Sequence, residues 1–143
     1  MDRSQFKNMF KYVKSIIPTL KGARLAISDY FAFNYKENYL VVSEEKSFMD
    51  ELWEDFMTDY LKEEFGLKLN REQMDMFSLL HEIGHHQTIK QFSDKELNHH
   101  FVAVEELDEE DFYSYRKLII EYEADKWAVD FIKEHKTELL ELI

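Results

Sequence analysis

His81 and His85 stand four residues apart in the run Ser78-Leu79-Leu80-His81-Glu82-Ile83-Gly84-His85-His86-Gln87, an H-E-x-x-H pattern. On an α-helix that spacing places two imidazoles on one face about one turn apart, where both can reach a single metal ion. Glu82, beside the first histidine, is the right kind of group to take a proton from a water activated by that metal. A catalytic Zn²⁺ keeps three protein ligands and leaves its fourth position to water, so a further ligand must come from elsewhere in the chain. The sequence contains no cysteine, so that ligand has to be nitrogen or oxygen.

The longer pattern H-E-x-x-H-x-x-G-x-x-H would need glycine at position 88 and histidine at position 91, where the chain has Thr88 and Gln91. A downstream helical carboxylate is the other source. Glu121-Tyr122-Glu123-Ala124-Asp125 offers Glu121 and Asp125 one turn apart on one face of an expected helix. The apolar stripe of that helix reads Ile120, Ala124, Ala128 and Phe131, with Trp127 beside it, so Glu121 and Asp125 border its buried side. Glu123 groups instead with Asp130 and Glu134 on the solvated side, which makes Glu121 the expected third ligand.

On these two motifs the chain resembles the gluzincin metallopeptidases, whose H-E-x-x-H helix is followed by a second helix carrying a ligand glutamate and, four residues on, an aspartate. In size and motif order it looks nearest to the ImmA/IrrE-type group, which acts on regulatory proteins of mobile elements and phages. The resemblance implies that Asp125 hydrogen-bonds a ligand histidine, fixing its tautomer and strengthening it as a ligand. It implies an α+β, zincin-like fold, mostly helical, with a small β-hairpin sheet packed on the H-E-x-x-H helix and an edge strand along the cleft. It implies Zn²⁺ held by His81, His85 and Glu121, and hydrolysis of peptide bonds in a protein or peptide substrate with Glu82 as general base. Hydrolysis of an amide also needs a donor for the oxygen that becomes negative, and His99, His100, Tyr113, Tyr115 and Tyr122 are candidates. His86, one residue past the ligand face, is expected at the surface or behind the ligands.

These side chains need elements to hold them. Phe6, Met9, Phe10, Val13, Ile16 and Ile17 carry helical spacing from residue 2 to Pro18. From Ala23 to Ser43 the period changes, and two apolar runs broken by Lys36-Glu37-Asn38 read as a β-hairpin. Residues 45–65 are helical in spacing, with Phe48, Leu52, Phe56, Tyr60 and Leu61 on one stripe and Met49, Trp53 and Met57 on another, both expected in the core. This helix is an addition to the most compact form of the family arrangement. Asn70 and Gln73 form a capping-box pair, so the metal helix is expected to run from Arg71 to about Lys90. Gly84 inside it weakens a helix unless something approaches closely there. His99 and His100 are expected on a short strand or loop, and residues 109–136 in one last long helix.

With 143 residues, 45% of them hydrophobic, and no repeat or Pro/Gly-rich linker, the chain is expected to form one domain over residues 1–143. Its net charge of −12 repels phosphate backbones, which argues against nucleic acid as a partner, and favours a basic protein or peptide. The absence of cysteine, of an apolar leader and of a bilayer-length apolar run leads to the expectation of a soluble cytoplasmic protein. Two other classes of function fit the same residues. One is a catalytically inactive zincin-like module whose metal is structural and whose acidic surface engages a protein partner; the other is a metal-free helical interaction protein.

Overall fold

The computed structural model describes residues 1–44 and 51–143. Its elements are α1 (Arg3–Ile16), β1 (Arg24–Ser28), β2 (Ala32–Asn34), β3 (Tyr39–Ser43), α2 (Glu51–Phe65), α3 (Met74–Thr88), α4 (Asp94–Glu106), α5 (Phe112–Lys117) and α6 (Ile119–Leu140). The fold is α+β, mostly helical with one three-stranded sheet. Among the described residues no helix is long and apolar enough to cross a membrane.

Local signals set the helix starts. Asp2 caps α1, and Asn70 caps the helical turn Arg71–Gln73 that leads into α3, each in a reciprocal capping box with the glutamine three residues on. The apolar face of α1 is buried through Phe6, Met9, Phe10 and Val13. These side chains share a core with Leu40 and Val42 of β3, Met57 and Leu61 of α2, Leu79, Leu80 and Ile83 of α3, and Ala128 and Ile132 of α6.

The sheet differs from a simple hairpin. β2 and β3 pair antiparallel across Asn34↔Tyr39 and Ala32↔Val41, but β1 is a separate strand that pairs with β3 in parallel, giving the order β1-β3-β2. The most apolar strand takes the centre, where Leu40, Val41 and Val42 are buried, while the half-exposed β1 and β2 form the edges. The expected helix over 45–65 is seen as α2 from Glu51 on, and its positions Phe48 and Met49 lie outside the described residues. Leu52 does not join the core: it is 70% exposed on the first turn, whereas Met57, Tyr60 and Leu61 are buried.

Two further differences bear on the site. The segment with His99 and His100 is helix α4, started by a capping box of Ser93 and Glu96. The last long helix is two helices, broken at Leu118, whose backbone is extended with φ −60° and ψ 128°. No proline or glycine causes that break; it turns Tyr115 and Arg116 so that both bond to side chains of α6.

The most extensive packing is between α3 and α6. Gly84 explains how they come so close, since a Cβ there would lie 2.5 Å from the carbonyl oxygen of Ala124 and 3.1 Å from its Cα. That oxygen is backbone and cannot yield alone. Gly84→Ala should therefore push the two helices apart and destabilise the chain by about 1–3 kcal/mol in denaturant unfolding. An unchanged midpoint would show that the helices do not meet at this point.

Candidate metal centre

α3 supplies His81, Glu82 and His85, and α6 brings Glu121 and Asp125 against them one turn apart. The Nε2 atoms of both histidines meet the same carboxylate oxygen: Glu121 Oε2 lies 2.9 Å from His81 and 3.1 Å from His85. His81, His85 and Glu121 are the one group of three metal-ligating side chains brought together among the described residues, with their ligand atoms all within 4.8 Å of one another. Around a tetrahedral zinc, nitrogen and oxygen ligands at ordinary bond lengths sit about 3.3 Å apart. The three donors therefore fit a small divalent cation in chemistry and in spacing.

Behind them the candidate ligands are fixed in orientation. His81 Nδ1 donates to Asp125 Oδ1 at 2.7 Å, which leaves Nε2 to face Glu121. Arg116 donates from Nη1 to the same Oδ1 at 2.8 Å. A fully buried carboxylate such as Asp125 needs paired positive charge, and Arg116 and His81 provide it. The other oxygen of Glu121 is held too, since the Tyr115 hydroxyl donates to Oε1 at 2.8 Å and His100 Nε2 lies 3.4 Å from it.

Electrostatics separates the two carboxylates nearest the histidines. Burial works against the charged form of Glu121, but His85, His100 and His81 hold its carboxyl well below the usual carboxylate range. Burial pushes the Glu82 carboxyl up, and His81 and His85 only partly offset it. For His81, burial disfavours the imidazolium, yet Asp125 and Glu121 outweigh it and push the ring up to about 10. Without a metal, a proton on His81 thus supplies the positive charge that this anionic cluster requires.

Of the donor candidates, Tyr115 and His100 reach the site. The others do not: His99 is exposed, Tyr122 donates to Glu64, and Tyr113 is exposed with the Lys117 ammonium over its ring. His86 stands apart from the ligands, half-buried and edge-on to Phe33 with ring centres 5.2 Å apart. Glu123 is half-buried and outside the cluster. Arg116, at 7% exposure, is the site residue that the spacing of the motifs does not reveal. The site also opens to a hollow of about 220 Å³ that reaches Glu82, His85 and Glu121. Comparison with protein-family models, with curated proteins and with solved structures gives no match, so the chemistry has to be read from these side chains.

Elemental analysis of the purified chain should find about one divalent metal per molecule, lost in both His81→Ala and Glu121→Ala. Asp125→Asn should weaken zinc binding about 10- to 100-fold in a chelator competition. Metal that persists in Glu121→Ala would remove the carboxylate from the ligand set.

The pH dependence should reverse with loading. In chelator, the His81 contribution is complete below its ordinary value of 6.5 and is lost as pH rises toward about 10, where the folded ring gives up its proton. The Glu121 contribution is present above 4.5 and is lost as acid protonates it. Metal-free melting temperature should therefore peak between these limits and fall on the alkaline side. Binding a metal displaces the ligand proton, so the stabilisation added by zinc should grow over the same alkaline range. Parallel melting curves with and without zinc from pH 6 to 9 would contradict this account.

Proposed function

We propose that the chain is a zinc-dependent endopeptidase in which His81, His85 and Glu121 hold the metal and Glu82 is the general base. The observation that carries this reading is the combination of three converging donors with a cleft beside them. Structural zinc sites are closed by four protein ligands, whereas catalytic sites use three and leave room for reactants. Zinc held here would supply a Lewis acid that lowers the pKa of water to about 7 and polarises a carbonyl.

The remaining work falls to side chains of the chain itself. Glu82 lies against the cleft with its Oε1 4.0 Å from His81 Nε2, and burial raises its proton affinity. A carboxylate in that condition accepts a proton from water more readily than an exposed one and can pass it to the leaving amine. Asp125, backed by Arg116, keeps His81 in one tautomer. His100 and Tyr115 stand beside the cleft, suited to an oxygen that becomes negative during attack, and Tyr115 would turn its one hydroxyl proton from Glu121 Oε1 to serve it.

The substrate on this reading is a protein or peptide. β2 is an edge of the sheet and lines the cleft through Ala32 and Phe33, so an extended chain laid along it has a backbone partner within reach of Glu82 and His85.

Glu82→Gln should remove proteolysis by at least about a hundredfold while the metal stays bound at wild-type stoichiometry. The pairing of the two measurements decides the matter. Full activity in the variant would eliminate Glu82 as base; a metal-loaded wild-type chain that cleaves no peptide or protein would return the site to a structural role in a protein-interaction module.

A further inference from the structure

The charge of the chain and the lining of its cleft point to different substrates. At −12 the molecule as a whole attracts basic partners. The cleft itself is walled by apolar and aromatic side chains on both sides of Glu82. One hollow, of about 170 Å³, is formed by Phe31, Trp53, Phe77 and Tyr115, with Ser78 and Arg116 at its polar edge. The other, of about 220 Å³, lies across Glu82, with Phe33, Ile89, Leu97, Phe101 and Ile120 as its apolar wall and His85, His100 and Glu121 on its polar side. The two hollows share Phe31, Glu82 and Tyr115, so they flank one point.

We propose that the cleft selects an extended peptide with a bulky apolar side chain on each side of the bond presented to Glu82. This rests on the peptidase reading for the cut, and on the two hollows for the preference.

Several of the polar groups in the hollows are already engaged with one another. Arg116 is bonded to Asp125, and Glu121 is bonded to Tyr115 and the histidines. Glu82 is reserved for the proton transfer. A lysine or glutamate entering either hollow would give up water among largely apolar side chains, whereas leucine, phenylalanine or methionine would gain by the same desolvation. Each hollow has room for one large side chain. Residues of that kind are mostly buried in folded proteins, so the bond must be offered by an unfolded or exposed segment of the substrate.

Binding and cleavage separate the two readings. Zinc-loaded Glu82→Gln protein would be titrated with labelled synthetic octapeptides carrying Leu-Phe at the central pair, and with versions in which either residue is Ala, Lys or Glu. Each replacement should weaken binding about ten- to a hundredfold. Phe101→Ala, on the exposed face of α4, should flatten the preference at one central position, and Trp53→Ala at the other. Equal binding of the alanine peptides, or tighter binding of the lysine peptides, would overturn the proposal. An apolar preference in binding, matched by the same order of kcat/KM in the wild-type chain, supports both readings. The same preference with no cleavage upholds the selectivity of the groove and sinks the peptidase.

Discussion

Everything at the site depends on one carboxylate oxygen, Glu121 Oε2, being carried on α6 to within hydrogen-bonding distance of two histidines on α3. The two helices can come that close because position 84 has no side chain and the backbone of Ala124 occupies the space. The alanines of α6 serve the same end: Ala124 and Ala128 are fully buried and present little more than backbone to the neighbouring elements. Apolar packing of α3 and α6 therefore does more than stabilise the fold. It sets the separation at which three candidate ligand atoms converge, and a shift of an ångström along this interface would part them.

Convergence has an electrostatic cost. Glu82, Glu121 and Asp125 are all buried within one small region, and three carboxylates out of water repel one another. Arg116 supplies one fixed positive charge, bonded to the same Asp125 oxygen as His81. The rest must come from something able to sit among His81, His85 and Glu121: a proton or a divalent cation. The break at Leu118 belongs to this balance, because a continuous helix through residue 118 would not turn Tyr115 and Arg116 onto the side chains of α6. Local helical regularity gives way to the pairing of buried charge, because an unpaired buried carboxylate costs more than an interrupted helix.

Much of this was legible in the sequence wherever the determinant was local. The capping pair at Asn70 and Gln73, the one-turn spacings His81–His85 and Glu121–Asp125, and the stripe that separates Glu121 from Glu123 all depend on a few neighbouring residues. The glycine at 84 signalled a close approach without naming the partner. Non-local determinants were harder to see. A central β3 inserted between β1 and β2 follows from its greater burial, which no period shows. Nothing in the spacing singles out Arg116, since its role is set by a partner on another helix. The helix α4 did carry its own start signal in Ser93 and Glu96, but Val102-Ala103-Val104 reads equally as strand, and none of its residues is buried enough to impose a clean stripe.

The two carboxylates that flank the histidines show how environment divides roles between identical groups. Glu121 is surrounded by donors: Tyr115, His81, His85 and His100 all face its oxygens, and they hold it in the ionised form that a ligand must have. Glu82 is buried almost as deeply, but among the described residues no hydrogen bond of comparable strength compensates it, and His81 approaches only to 4.0 Å. Its proton affinity rises for that reason. When neighbours push one carboxylate down and burial pushes the next one up, the first is suited to bind charge and the second to move protons. On the proposed reading the division follows from position alone, since Glu121 points between the histidines whereas Glu82 opens onto the cleft where a substrate would lie.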